Sequence, residues 1–214
     1  MNRGGSVFLE ESQIPAAFRP AGPAALKSYL AGGDIKIRRG ASLPVFSPIA
    51  IRRRGRLERV KLGSYPALTA CESLRVLEAA RRAFGDGGGE WPSLSIDKRA
   101  AALEKFMGRV VRKKKAVCRT LLWEIAKPFA EIEDEFDRTV DFLREVVRTA
   151  RARERSAAAL KRDKGIVGVV RDEPLGVALC MGPYNYPFFE TMGLVGPALV
   201  MGNTVVVKPP RFGV

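Results

Sequence analysis

The chain has 214 residues, 46% of them hydrophobic and 28% charged, with 37 Lys and Arg against 23 Asp and Glu and a net charge of +14. This is an ordinary globular composition with room for a sizeable core, and no apolar run approaches the ~18–20 residues of a membrane span. There is no histidine, and the three cysteines lack CxxC spacing. Ser-His-Asp and Cys-His catalysis within the chain and the usual zinc sites are thereby excluded, and the cysteines read as free thiols of a cytoplasmic protein.

The positive charge is dispersed. Between Glu131 and Arg148 the arginines stand beside acids, and no basic stripe is interleaved with aromatics. That favours surface charge, or attraction of an anionic small molecule, over nucleic-acid binding. Val7-Phe8-Leu9 is too short for a signal-peptide core.

Pro15, Pro20 and Pro23 predict irregular structure over the first 30 residues. Gly32-Gly33-Asp34, flanked by short alternating runs between Ser28 and Ile37, is a hairpin signal. Leu43–Ile49 and Arg56–Gly63 read as strands, with Arg52-Arg53-Arg54-Gly55 as the exposed turn between them. Thr69 and Glu72 form a capping box. The helix it opens runs to about Phe84, with Leu74, Leu77 and Ala80 at helical spacing, and Gly85 ends it.

Ser95 or Asp97 caps a second helix with Leu103, Phe106 and Val110 inward, and a further helical segment runs to Ile125, before Pro128. Phe129, Ile132, Phe136, Val140, Leu143 and Val147 then make one apolar seam along a long helix. Ile166–Val170 is β-branched and reads as a strand.

Val177–Met181 and Val205–Lys208 read as buried strands joined by the loop Gly182-Pro183-Tyr184-Asn185-Tyr186 and an apolar helix from Pro187 to Met201, interrupted by Pro197. Polar groups thus gather at the carboxyl ends of two parallel strands, where open α/β sheets bind ligands. The expected fold class is α/β, in three parts: an N-terminal extension with hairpin strands (1–64), a helical part (65–165) and the start of a Rossmann-like sheet (166–214).

Gly182-Pro183-Tyr184-Asn185-Tyr186-Pro187, Pro197-Ala198-Leu199 and Gly202-Asn203-Thr204-Val205-Val206-Val207-Lys208-Pro209-Pro210 resemble the aldehyde dehydrogenase superfamily, most closely its NADP-dependent non-phosphorylating glyceraldehyde-3-phosphate dehydrogenases. Val45–Pro48, Trp91–Ser95, Trp123–Pro128 and Glu135–Thr139 support the resemblance, which runs from about Ser28 to the last residue.

It implies an aldehyde-dehydrogenase-like fold and oxidation of an aldehyde to a carboxylate with NADP, or with NAD. Asn185 matches the family's oxyanion donor, with an αL turn asparagine as the alternative. Lys208 and Arg211 match positions near the adenosine 2′-phosphate, and Gly182 one near the nicotinamide. Arg138 and Tyr186 match the pair that binds a substrate phosphate, against a plainly solvated arginine as the alternative. The family's nucleophilic Cys and general-base Glu fall after the Lys-Pro-Pro strand. The expectation is therefore a truncated, N-terminal portion, inactive alone and poorly soluble. It would act on a phosphorylated aldehyde and pair with its own copies or a full-length dehydrogenase subunit. The alternative is a non-catalytic basic interaction module or a pseudoenzyme partner of a full-length dehydrogenase.

Overall fold

The computed structural model describes residues 8–25, 29–30, 33–34, 42–157 and 159–212. Its strands are β1 (Ala24–Ala25), β2 (Tyr29–Leu30), β3 (Gly33–Asp34), β4 (Ser42–Arg53), β5 (Arg56–Pro66), β6 (Lys161–Asp163), β7 (Ile166–Gly168), β8 (Val177–Cys180) and β9 (Thr204–Val207). Its α-helices are α1 (Ala70–Phe84), α2 (Ile96–Val111), α3 (Lys114–Ile125), α4 (Phe129–Ala157) and α5 (Pro187–Val200).

β4 and β5 form a long antiparallel hairpin with β1 parallel to β5. The turn Arg54-Gly55 takes two positive φ angles, the conformation that matches the strand twist. Register shifts between Val45 and Ala50 mark a bulged stretch of β4. The carbonyls of Phe46 and Ser47 accept from the Arg59 guanidinium, so the irregular backbone is still satisfied. Ser47 is fully buried and donates to the Trp123 carbonyl at 2.5 Å, fixing the hairpin to α3. Ile14, Ile51, Val60 and Trp123 pack together at that junction.

β2 pairs antiparallel with β3, as Gly32-Gly33-Asp34 suggests; residues 28, 31–32 and 35–37 of that expected hairpin lie outside the described residues. The capping box of α1 forms as read, with Thr69 Oγ1 accepting from the Glu72 amide and Glu72 accepting from the Thr69 amide. Gly85 closes α1 in the left-handed region.

Which face α1 buries differs from the expectation. Leu74 and Leu77 are 64% and 42% exposed, and the buried positions are Glu72, Ala79 and Ala80. Small side chains let α1 lie close on the β8–β9 pair, where Thr204 Oγ1 donates to the Ala80 carbonyl at 3.0 Å. On α2, Phe106 is likewise exposed, and Ile96, Ala100, Leu103 and Met107 face inward.

The α4 seam is as predicted. Leu143, Val147 and Ala150 pack with α2 and with Val200 of α5; Ile132, Phe136 and Val140 pack with Cys118 and Leu121 of α3. Gly196 of α5 lies directly against the Leu143 side chain, so the two helices approach closely there. α5 runs through Pro197 without ending, and it is not buried all round: Pro187, Thr191, Gly196 and Val200 are buried, whereas Leu194 is exposed.

The β-branched run at 166–170 forms strand only over Ile166–Gly168, in an exposed hairpin with Lys161–Asp163. β8 and β9 are parallel, with Val177 opposite Thr204 and Cys180 opposite Val207. This is the strand–helix–strand unit expected of an α/β fold. No helix among the described residues is long and apolar enough to cross a membrane.

Candidate functional site

The Lys208 amide donates to the Cys180 carbonyl at 3.0 Å, continuing the β8–β9 ladder by one bond. The loop 181–186 and Lys208 therefore leave the sheet at the same, carboxyl, end. Asn203 fixes the opposite end: its Oδ1 accepts from the amides of Leu175 and Gly176, and its Nδ2 donates to the Ala198 carbonyl.

Gly182 packs flat on α5. A β-carbon there would overlap the Thr191 hydroxyl and lie 3.0 Å from the Thr191 amide nitrogen. Pro187 starts α5 at a position where a missing N–H costs nothing. Tyr186, just before it, offers no side-chain cap. The cap comes from α4 instead. Glu135, 0% exposed, accepts through Oε1 from the amides of Phe188 (3.3 Å) and Phe189 (3.2 Å). These are orphan donors at the positive end of a helix, which a carboxylate satisfies and neutralises.

The other oxygen of Glu135 accepts from Lys127 Nζ at 3.2 Å. The same ammonium lies 3.2 Å from the centre of the Tyr186 ring. Arg138 brings a second cation, with Cζ 5.6 Å from the Tyr186 ring centre and 4.6 Å from that of Phe189. Phe188 stacks on Phe136 with ring centres 5.5 Å apart, which seats the start of α5 on the α4 seam.

The residues singled out in the sequence fall as follows. Asn185 is exposed, has no positive φ and makes no hydrogen bond among the described residues. Among the described residues its side-chain amide has no acceptor, and an αL turn does not account for it. Tyr186 and Arg138 are brought together across α4 and the loop; Arg138 is exposed, yet its guanidinium lies over two rings rather than in open solvent. Lys208 is exposed with no ion pair among the described residues. Arg211 is exposed, its guanidinium 5.8 Å from the Phe212 ring centre.

Glu135 and Lys127 were not among the expected site residues. The available signal was a carboxylate on the apolar seam itself, three residues after Ile132 and four before Thr139. Cys118 and Cys180 are buried, and burial pushes both thiols up from their ordinary range, away from the reactive thiolate. Cys71 is exposed on α1. A cleft of about 1050 Å³ at the tip of the β4–β5 hairpin is lined by arginines and glutamates of mixed sign, including the Arg53–Glu11 ion pair at 2.6 Å. It lies on a different element from the loop and reads as a solvated ion-pair surface.

Residues 51–213 match the family described as the Aldehyde dehydrogenase family. The chain is 34% identical over 172 residues to the N-succinylglutamate 5-semialdehyde dehydrogenase of Burkholderia mallei strain SAVP1, covering 79% of this chain and 32% of that protein. Among solved structures it superposes on the NADP-dependent glyceraldehyde-3-phosphate dehydrogenase from Bacillus halodurans C-125 complexed with NADP, with a TM-score of 0.70 and 27% identity over 89% of this chain and 38% of that one. It also superposes on an NAD-dependent aldehyde dehydrogenase from Sinorhizobium meliloti with a TM-score of 0.75 and 23% identity, over 96% of this chain and 38% of that one, a likeness of fold. The chain spans about a third of the length of the curated relatives it matches.

Proposed function

Because the chain belongs to the aldehyde dehydrogenase family, we propose that it supplies the N-terminal part of an NAD(P)-dependent enzyme that oxidises an anionic aldehyde to its carboxylate. The observation that carries this reading is the loop. A free Asn185 amide stands beside Tyr186, whose ring has two cations within reach, at the carboxyl end of a parallel strand pair.

Each residue has a task in that reading. Asn185 donates to the oxyanion formed when a thiolate attacks the aldehyde. Arg138 takes the substrate's ionised group in a charge-assisted hydrogen bond, with Tyr186 beside it. Lys208 and Arg211, cations just beyond β9, hold the adenosine phosphate, which favours NADP over NAD. Both are exposed and have no ion pair among the described residues, which suits such a phosphate. Gly182 keeps the loop backbone flat where a side chain would lift it. NAD(P), when bound, accepts the hydride. The attacking thiolate comes from outside these residues: Cys118 and Cys180 are buried with their thiols pushed up, and Cys71 lies on α1 rather than at the loop.

The finer choice is the anion. Glyceraldehyde 3-phosphate is the substrate the Arg138–Tyr186 pair suggests, and N-succinylglutamate 5-semialdehyde is the one in the names of similar proteins. Both bear ionised groups. The expected protein partner is a second copy or a full-length dehydrogenase subunit, met at the β6–β7 hairpin, where Ile166 is 73% exposed. Calorimetric titration of the chain with NADP, NAD, the two anionic aldehydes and uncharged propanal tests the reading. Binding of the anionic aldehydes is expected to disappear in Arg138→Ala. Equal binding of propanal, or indifference to Arg138→Ala, would sink it.

A further inference from the structure

We propose that Lys127 and Glu135 are positioning residues that act as one charge pair to set where Asn185 and Tyr186 stand. The inference rests on reading the 182–187 loop as half of an aldehyde-binding site.

Glu135 is completely buried, and a buried carboxylate is tolerated only when its oxygens are occupied and its charge is balanced. Here one oxygen holds the two amides that follow Tyr186 and Pro187, and the other holds Lys127. Glu135 thus supplies the hydrogen bonds that hold the start of α5, and hence the end of the loop, to α4, beside the Phe136–Phe188 ring stack. The Glu135 carbonyl also accepts from the buried Thr139 hydroxyl, which steadies that turn of α4.

Lys127 is itself held. It lies in the link between α3 and α4, after Ala126 in the left-handed region and before Pro128, which restricts its backbone. A helix cap alone needs only Glu135. The ammonium placed on the face of Tyr186 does something more: it couples the balancing charge to a loop residue. It also settles the local charge. Lys127 cancels Glu135, so the positive charge of Arg138, which has no ion pair among the described residues, stays available to an incoming anion. With Lys127 removed, the carboxylate would offset Arg138 instead.

The test is nuclear magnetic resonance on the ¹⁵N-labelled 214-residue chain without ligand. In Lys127→Met the amides of Phe188 and Phe189 are expected to exchange with solvent about tenfold faster or more, the scale of one charged hydrogen bond. The Tyr186 amide and the Asn185 side-chain amide shift, while Val140 and Leu143 in the α4 core keep their protection. Lys127→Arg restores the wild-type pattern. Glu135→Gln, which preserves size, displaces the same loop signals and serves where Lys127→Met folds poorly. The proposal is overturned if the Asn185 and Tyr186 signals stay in place in Glu135→Gln, if the α4 core loses protection to the same degree, or if Lys127→Arg gives no rescue. No ligand enters this measurement, so a failed aldehyde titration would leave its result standing.

Discussion

Gly182 lies so close against Thr191 that the threonine hydroxyl occupies the space a β-carbon on the glycine would need. Thr191 Oγ1 is buried and has no hydrogen-bond partner among the described residues, so packing alone holds this contact. The loop that carries Asn185 owes its path to the absence of one methyl group.

Gly182→Ala is accordingly expected to cost about 1–3 kcal/mol, the range of an overpacked core contact, measured as a lowered urea midpoint. Gly193→Ala on the same helix is the contrast, since its new β-carbon would meet only the Phe142 ring at 4.0 Å. There the better helix propensity of alanine, up to about 1 kcal/mol, should leave stability equal or higher. Equal losses at both positions would refute the packing account.

Asn203 makes three hydrogen bonds, two as acceptor and one as donor. Asn203→Ala leaves the amides of Leu175 and Gly176 without it, and is expected to destabilise by about 2–4 kcal/mol. Asn203→Asp keeps both acceptor bonds and cannot donate to the Ala198 carbonyl, so it should fall between. Thermal unfolding followed by circular dichroism ranks the three proteins.

The thiols give a pH signature. Burial raises Cys118 and Cys180, so the folded chain keeps protons that an unfolded chain loses from about pH 8.5 upward. The unfolded state then binds fewer protons, and stability falls as pH rises; below that point this contribution is complete. Urea midpoints should decline above about pH 8.5, with a shallower decline in Cys180→Ala. A disulfide reagent such as dithionitrobenzoate should label Cys71 at once and the other two only on unfolding.

With Cys118 and Cys180 buried, the 214-residue chain alone is expected to form no NADPH from NADP and glyceraldehyde 3-phosphate. Turnover exceeding that of an Asn185→Ala, Lys208→Ala double variant would contradict this. β8 and the residues just before it also expose apolar side chains, Leu179 at 61% and Leu175 at 99%. The folded chain should therefore bind anilinonaphthalene sulfonate, read as enhanced dye fluorescence.

Local features were legible in the amino-acid order, because their physics spans a few residues. The Thr69–Glu72 box, the Gly85 stop, the α4 seam and the proline that opens α5 each involve neighbours three or four positions apart. The Asn185–Tyr186 loop stood out for the same reason. What escaped was set by distant partners. Glu135 meets amides 53 and 54 residues on, and Arg99 donates to the Val200 carbonyl 101 residues away. Periodicity placed Leu74 and Leu77 on an apolar stripe and could not say that the sheet would choose the alanines instead. Nor could it say that β7 would pair outward with β6 rather than join the parallel pair.

Consider finally where the supports of the loop lie. Lys127, Glu135, Phe136 and Thr191 all fall within 65 positions of one another, and every one of them is drawn from the loop's own helix or from residues that precede it. During vectorial synthesis at the ribosome these supports are all made by the time α5 is complete. The Asn185 loop is thus shaped from its own side of the chain, by residues made before it and by the helix that follows it at once.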